Sequence, residues 1–244
     1  DDYMGGGDGV DTAIFEGAAG NYMLYIDGTR DTIDIEDKRA EGTGFDGFDR
    51  VELLEFGDGF SFVADGAVDL RALTGAAGLT EAELTTFVEM YIAYFDRAPD
   101  ALGLLYWGTR LSEGMSLEMI AESFFVQDES LATFPDVNDN AALVDAAYAN
   151  LLERDADAEG RAYWIEALEQ GDVSRAQFML AIINGAKAET GSPADARTIA
   201  DKAEIGAAYA IEAGLTDVEN AGAAMAEYDV DDRAGSLAVA QDLI

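Results

Sequence analysis

The sequence predicts an α+β protein in which a β-rich N-terminal part is followed by an all-helical region. Two observations lead to this prediction. Apolar residues alternate with a period of about two up to residue 70, and follow the helical period of about 3.6 from residue 80 onward. In addition, a helix–turn–helix sequence occurs twice, at 91–114 and 148–171. We therefore expect the following division of the chain: a β part at 1–70, a linker at 71–79, a helical domain at 80–190 and a C-terminal helical segment at 191–244.

The beginning of the chain is rich in glycine and aspartate. Gly7-x-Gly9-x-Asp11 follows a further glycine, and Asp2 lies nine residues before Asp11. This spacing resembles the G-G-x-G-x-D-x-U-x repeat of the RTX family, whose secreted members bind calcium in a parallel β-roll. The resemblance implies the end of a β-roll, in which Gly7, Gly9, Asp11 and Asp2 form calcium half-sites. An ordinary glycine–aspartate turn before a strand is the alternative.

The resemblance also implies that calcium is the cofactor and that binding is incomplete. In a β-roll each ion is shared by loops of stacked repeats, but only one full repeat is visible in this sequence. The missing ligands would come from repeats upstream of Asp1. We therefore expect a fragment of a longer protein that binds calcium weakly by itself.

Charge and composition exclude several classes of function. The chain has 14 Lys and Arg against 50 Asp and Glu, which gives a net charge of −36 over 244 residues. This charge repels phosphate backbones, so we exclude nucleic-acid binding. The chain has no Cys and no His, which excludes zinc fingers, thiol catalysis and Ser-His-Asp triads. No apolar run reaches the ~18 residues that would predict a membrane span.

Short segments after the first turn have strand character. They are rich in β-branched, aromatic or alternating apolar residues, and lie at 21–26, 31–37, 50–56 and 60–63. The sequence of 44–62 resembles the strand pair that closes many RTX regions. We therefore predict a small antiparallel β-module that caps the roll. Its acidic residues are interpreted as solvated turn residues rather than ligands: Asp46, Asp49 and Asp58.

Capping signals predict where the helices begin. Thr80-x-x-Glu83 is a capping box, and the helix it opens should end near Pro99. A second helix is expected from Asp100 to Gly114. Further helix starts are predicted at Ser116, Ser174, Ser192 and Thr216.

The two helix–turn–helix copies align without gaps at an offset of 57 residues. Both tryptophans of the chain occupy the same repeat position. Shared positions include Arg97 with Arg154, Asp100 with Asp157, and Trp107 with Trp164. This pattern resembles DUF 4214, a family of unknown function that is often fused to RTX repeats and is similar in pattern to phycobilisome linker domains. The resemblance covers roughly 80–190 and implies a secreted or surface-layer setting, but no reaction.

The shared residues allow two interpretations. In the first, each Asp caps the second helix of its unit, each Arg bridges the end of the first helix, and the Tyr-Trp pairs pack as core. In the second, the motif is a sugar or peptide pocket with Trp as a stacking platform and Arg and Asp at the rim. We favour packing, because both copies use identical residues for what looks like one packing solution.

Residues 155–166 also nearly fit a calcium-binding EF-hand loop, with Gly160 at its sixth position. The first copy keeps Asp100 but has Ala98, Leu102 and Thr109 at the other corresponding positions, and the apolar positions of 160–168 form one helical face. An EF-hand needs 155–163 as a loop, so we interpret this stretch as a helix start instead.

The sequence therefore leads to a non-enzymatic function. We expect part of a secreted calcium-binding protein that acts in surface-layer, adhesive or matrix assembly, by self-association or by binding other surface proteins. The alternative is a glycan-binding accessory module of a larger secreted enzyme. With 50 carboxylates, acidic pairs at any spacing are inevitable, so none is assigned to catalysis. The RTX resemblance implies a Gram-negative bacterium and a type I secretion signal, with which the ending at 238–244 is compatible.

Overall fold

The structure, a computed structural model, describes residues 2–27, 32–40, 42, 44–62, 66–134, 136, 138–236 and 238. Within these residues a β part is followed by a helical part, so the architecture is α+β. The strands are β1 Asp2–Gly5, β2 Thr12–Phe15, β3 Tyr22–Asp27, β4 Thr32–Asp37, β5 Phe45–Asp49, β6 Leu53–Phe56 and β7 Val68–Asp69. The helices are α1 Glu81–Phe95, α2 Ala101–Ser112, α3 Leu117–Phe125, α4 Asp128–Thr133, α5 Asn140–Leu152, α6 Ala158–Gln170, α7 Phe178–Lys187, α8 Pro193–Ala207 and α9 Val218–Ala226.

The strands form two small sheets, with the orders β1-β5-β4-β3 and β2-β6-β7. In each sheet one pair is parallel, β1 with β5 and β2 with β6, while the other pairs are antiparallel. The β-module that we predicted to be antiparallel is therefore mixed, because the N-terminal strands align with later strands that run in the same direction. The described residues contain no closed roll or barrel, so the β-roll part of the expected fold is not confirmed.

The parallel pairs place one strand–turn–strand unit beside another. The first unit is β1, the turn at 6–11 and β2; the second is β5, the turn at 50–52 and β6, and each sheet contains one strand of each unit. The Gly6 amide donates to the Asp49 carbonyl at 2.9 Å. A Cβ at Gly6 would lie 2.0 Å from the Arg50 carbonyl oxygen, so only glycine fits between the two turns.

Two strand positions differ from the sequence prediction. Of the strand predicted at 50–56, only 53–56 is extended as β6; residues 50–52 form the turn after β5, in which Arg50 has a φ of 55°. Residues 60–62 are not in a strand, and Val63 lies outside the described residues. The aromatic rings at 60 and 62 instead pack edge to face, with centroids 5.2 Å apart.

The segment at 71–79, which we expected to be a linker, packs against the helical part. It contains 3-10 turns, and Leu73 and Ala76 within it are buried. The Ala76 amide donates to the Thr109 hydroxyl of α2 at 3.2 Å. The β part and the helical part are therefore joined by packed contacts as well as by the chain itself.

Helix α1 lies at the centre of the helical part. Its nine consecutive residues 87–95 are all buried, as expected for a helix that is apolar on most of its faces. It contacts helices on several sides, including α3, α5, α7 and α8. Among the described helices, none has the length and apolarity needed to cross a bilayer.

The turn after α8 ties the C-terminal segment to the first sheet. The Leu24 amide of β3 donates to the Gly214 carbonyl at 2.8 Å. The buried Thr216 hydroxyl lies 2.6 Å from the Ala19 carbonyl oxygen and 2.5 Å from the Tyr22 carbonyl oxygen. These contacts hold the end of the helical part against strand β3.

Several predicted caps are confirmed. The Thr80 side chain accepts from the Glu83 amide, and the Glu83 carboxylate accepts from the Thr80 amide. The capping role is also confirmed for Ser116 and Ser192, the latter followed by Pro193 at the first helical position. These signals are local in sequence, which explains why they can be read without tertiary information.

Two predicted helix starts are wrong. Helix α7 begins at Phe178, about one turn later than the predicted start at Ser174, whose hydroxyl instead caps an intervening turn. Helix α9 is capped by Asp217 rather than Thr216, because the Thr216 hydroxyl is engaged by the first sheet. Residues 239–244, which carry most of the expected secretion signal, lie outside the described residues.

Candidate functional site

Arg97 and Asp100 of the first repeat copy belong to a buried polar network at the start of α2. Asp100 accepts from the Gly103 amide at 2.7 Å, from the Tyr91 hydroxyl at 3.2 Å and from Arg97 at 3.3 Å. Arg97 also donates to both carboxylate oxygens of Glu129, at 2.5 and 3.1 Å. The Asp100 side chain therefore caps α2, as predicted, and also neutralises the arginine.

Within this network, Arg97 and Asp100 are almost closed to solvent. Arg97 and Asp100 are only 6% and 5% exposed. Burial by itself disfavours the charge on Arg97, but Tyr91, Glu129 and Asp100 outweigh burial and raise the pKa of the guanidinium. Burial likewise raises the pKa of the Tyr91 hydroxyl, which stays protonated. All three guanidinium nitrogens already donate to protein atoms, including the Ala98 carbonyl.

The second copy repeats this arrangement in a more exposed setting. Arg154 donates to Asp195 at 2.8 and 2.6 Å and to the Asp155 carbonyl at 3.0 Å. Asp157 accepts from the Gly160 amide at 2.9 Å, and this hydrogen bond lowers the pKa of the Asp157 carboxyl. The Arg154 and Asp157 side chains are 36% and 61% exposed, so solvent screens this pair.

The repeated glycine makes room for a tyrosine hydroxyl. A Cβ at Gly103 would lie 2.6 Å from the Tyr91 hydroxyl oxygen, and one at Gly160 would lie 2.6 Å from that of Tyr148. In both copies, the tyrosine hydroxyl therefore occupies the space that the missing glycine side chain leaves.

Sequence reasoning missed the acids that pair with the two arginines. Glu129 is in the first turn of α4 and Asp195 is in the first turn of α8. They follow Arg97 and Arg154 by 32 and 41 residues, so they do not share the repeat offset. Their one sequence signal is an acid in the first turn of a later helix, which many helices have.

The two tryptophans are half-buried and pack against equivalent partners. The Trp107 ring meets Phe124 edge to face at 5.2 Å, and the Trp164 ring meets Phe178 at 5.5 Å. Their tyrosine neighbours differ, because Tyr163 is 63% exposed and contacts only Trp164 among the aromatic rings of the described residues. Packing thus accounts for the inner edge of each tryptophan but not for the exposed Tyr163.

A groove of about 750 Å³ opens beside the first copy. Its wall includes Trp107 and the rings of Phe60, Phe62 and Tyr106. Phe62 stacks on Tyr106 with centroids 4.1 Å apart and an angle of 13° between the rings. The segment after β6 therefore completes an aromatic wall that the first repeat copy alone would not have.

The rim of the groove is polar and acidic. Gln127, Asp128 and Glu129 are exposed and line it, while Arg97 and Asp100 lie at its buried floor. The charged residues that line the groove are one cation, Arg97, and the three acids just named, which together give a formal charge of −2. The arrangement can stack a flat apolar surface and accept hydrogen bonds, but it offers no unpaired cation to an anion.

The predicted calcium residues lie in and beside the turn between β1 and β2. Gly7 and Gly9 have φ angles of 98° and 129°, which glycine alone adopts easily. Oxygen Oδ2 of Asp11 is buried and has no hydrogen-bond partner among the described residues, while the Asp11 amide donates to Glu52 at 2.9 Å. Asp2 is the first residue of β1. The described part of the chain brings no three acidic side chains together as a metal cluster.

The EF-hand alternative is contradicted. Helix α6 begins at Ala158, with Asp157 as its N-cap, so residues 158–163 are helical where an EF-hand requires loop. The acids of this stretch cannot surround an ion in that conformation. The interpretation as a capped helix start is confirmed.

Comparison with known proteins supports one of the two resemblances. Residues 121–190 match the model of the family described as a domain of unknown function, DUF4214. The match includes the second repeat copy and confirms that part of the resemblance; the first copy, at 91–114, lies before it. The comparisons give no match to an RTX repeat family. No curated protein and no solved structure is significantly similar to the chain.

Proposed function

We propose that this chain is a non-enzymatic part of a secreted calcium-binding protein that acts in the assembly of an extracellular surface layer, adhesive or matrix. The observation that carries the proposal is the turn at 6–11. It combines Gly7 and Gly9 in left-handed conformations with the unpartnered, buried Oδ2 of Asp11. A buried carboxylate oxygen without a donor is costly unless a cation satisfies it, and calcium prefers oxygen ligands.

The edge position of the first unit supports the half-site interpretation. Both β1 and β2 are edge strands, so a further strand–turn–strand unit could pair with both sheets at once. Three large apolar side chains of this unit are exposed, namely Tyr3, Val10 and Ile14 at 64%, 65% and 74%. A stacked unit would cover them and would bring the second half of the calcium ligands.

The charge supports dependence on cations. At −36 the chain repels copies of itself, and divalent cations would reduce this repulsion before like surfaces could meet. Calcium would therefore act both as a ligand of the turn and as a counterion for assembly.

Titration calorimetry tests the calcium site. We expect the chain to bind calcium with a dissociation constant of about 10⁻⁴ to 10⁻³ M, as extracellular modules do, because half of the ligands are missing. The substitution Asp11→Asn should abolish the binding, whereas Asp8→Asn, in the same turn but exposed, should leave it unchanged. Tight binding by the unaltered chain would contradict the half-site interpretation, and binding that survives Asp11→Asn would contradict the site.

Light scattering tests assembly. In millimolar calcium we expect the scattered intensity to rise with protein concentration, and to return to the monomer value after chelation. An equal ionic strength of sodium chloride separates specific assembly from general screening. A strict monomer in calcium at every accessible concentration would remove the main support for the assembly function.

A second candidate function is glycan binding, and the groove beside Trp107 favours it. The groove combines a tryptophan and five further aromatic rings with a few polar groups at its rim, which is the composition that usually lines ligand sites. Arg97 and Asp100 do not take the rim role that the sequence suggests for such a site, because their polar atoms are engaged by the protein. Glycan binding would therefore depend on other polar residues.

A further inference from the structure

We propose that the groove of the first repeat copy binds a neutral sugar chain, with Trp107 stacking on a sugar ring and Asp128 and Glu129 accepting its hydroxyl hydrogens. This inference rests on the second candidate function above and specifies its site, its contact residues and its ligand class. It does not depend on calcium-driven assembly.

The site belongs to one copy of the repeat because a distant segment completes it. Phe60 and Phe62, which follow β6, line the groove, and Phe62 stacks on Tyr106. The corresponding tyrosine of the second copy, Tyr163, is largely exposed and has no such segment against it. The second copy thus has the tryptophan but not the aromatic wall.

The charge of the groove selects the ligand class. The floor arginine has no free nitrogen, because Arg97 donates to Glu129, Asp100 and a backbone carbonyl. An acidic sugar would meet Asp128 and Glu129 without a compensating cation, inside a protein of net charge −36. Neutral sugar hydroxyls can donate to these carboxylates, and the apolar face of a sugar ring can cover the indole.

The groove is large enough for more than one ring. Its volume of about 750 Å³ lies in the range of ligand pockets, and it opens to solvent along the rim of α4. Since Glu129 is 42% exposed at its side chain while holding Arg97, its solvent-facing lone pairs remain accessible. A chain of two or three sugars could thus extend from the indole past the start of α4.

The presence of two tryptophans allows a direct test. In the variant Trp164→Phe the sole tryptophan is Trp107, so its fluorescence reports on the groove; in Trp107→Phe the remaining Trp164 reports on the second copy. The probes are neutral oligosaccharides of glucose, mannose, xylose and N-acetylglucosamine, and acidic oligosaccharides of galacturonate and of alginate. We expect at least one neutral probe to change the Trp107 signal saturably, and neither acidic probe to do so. The Trp164 signal should not change with any probe.

Rim and wall variants then locate the contacts. Asp128→Ala and Phe62→Ala should each lower the affinity for the neutral oligosaccharide by about tenfold, as the loss of one ligand contact does. Asp155→Ala removes an exposed acid of the second copy and should leave affinity unchanged. Asp128 is exposed and makes no cap contact in the described structure, so its variant should fold even if a wall variant does not.

The outcomes test separately the position of the site, the class of ligand and glycan binding itself. Binding that the Trp164 reporter detects, or that Asp128→Ala leaves intact, would overturn the site while glycan binding stands. Preferential binding of galacturonate or alginate would overturn the ligand class. No response to any probe would overturn both this inference and the second candidate function. The proposal of calcium-dependent assembly would not be affected.

Discussion

Arg97 and Arg154 have the same position in the repeat, yet their surroundings differ. Arg97 is sealed between Asp100, Glu129 and Tyr91, whereas Arg154 and its neighbour Asp157 are partly open to water. Solvent can replace contacts of an exposed guanidinium but not of a buried one. Identical sequence therefore does not imply identical energetic contribution.

The first prediction compares the two arginines. Arg97→Ala should lower the free energy of unfolding by about 3–5 kcal/mol, because it leaves Asp100 buried without a counterion. Arg154→Ala should cost less, about 1–3 kcal/mol, because Asp157 stays in water, although Asp195 is left buried without this counterion. Urea unfolding of both variants measures the difference. Equal losses would contradict the contrast in burial.

The second prediction concerns Asp96, which ends α1 with a φ of 52°. Neighbouring chain desolvates this carboxyl, although the residue as a whole is exposed, and raises its pKa to about 6; Lys202 opposes the shift and Glu153 adds to it. The folded state therefore favours the protonated form, so the charge costs stability at pH 7 and this cost disappears as the pH falls through 6 toward 4. Asp96→Asn should raise the melting temperature at pH 7 and flatten its pH dependence between 4 and 7.

A control distinguishes this effect from a change in net charge. Asp8→Asn removes one negative charge at an exposed position and should leave the pH profile unchanged. Asparagine tolerates a positive φ, so Asp96→Asn should not strain the helix end. A lower melting temperature at pH 7 for Asp96→Asn would show that the carboxylate stabilises this site, and the expectation would be wrong. Asp96 keeps contact with solvent, so we expect a modest change.

At the scale of elements, the sequence predicts what depends on near neighbours. The caps at Thr80, Ser116 and Ser192 could be read because donor and acceptor are separated by three residues. The parallel pairing of β1 with β5 could not be predicted, because the paired residues are more than 40 positions apart and neither strand sequence indicates its partner. Thr216 fits a cap pattern equally well, but its hydroxyl donates to the Ala19 and Tyr22 carbonyls, and Asp217 caps α9.

The same limit applies to the candidate site. The repeat identified Arg97, Asp100 and Trp107, whose helix positions are local properties. Glu129 and Phe62 were missed, because they reach the site through tertiary packing from segments without the repeat pattern. For the turn at 6–11, glycine spacing indicated Gly7 and Gly9 because positive φ angles need glycine.

The third prediction tests the contact between the last turn and the first sheet. Thr216→Val keeps the side-chain shape but removes the hydroxyl that contacts Ala19 and Tyr22 carbonyls. We expect a loss of about 1–3 kcal/mol, since two buried acceptors lose a donor. Urea unfolding measures the loss, and Thr198→Val, which removes a buried hydroxyl that hydrogen-bonds to Tyr228, serves as the comparison for losing a single side-chain contact. A loss below that of the control would show that the contact contributes little.

For the whole molecule, the net charge of −36 opposes the compact state. The fourth prediction is that raising sodium chloride from about 0.02 M to about 0.5 M increases the melting temperature by roughly 4 °C, because screening lengths shorten from tens of ångströms to a few. Calorimetric melting at constant pH measures the increase. Sucrose, which is neutral, controls for general solute effects. A fall in melting temperature with salt would show that attractive ion pairs outweigh the repulsion.

The contact between Thr216 and the first sheet has a consequence for the order of folding. Its hydroxyl meets the Ala19 carbonyl 197 residues earlier in the chain, so the loop that this contact closes includes most of the protein. Contacts of such long separation form late, since closure of the loop must precede them. During synthesis the contact between Thr216 and the first sheet can therefore form only after the last turn has emerged, whereas the strand pairs of that sheet lie within residues 2–49 and can form earlier.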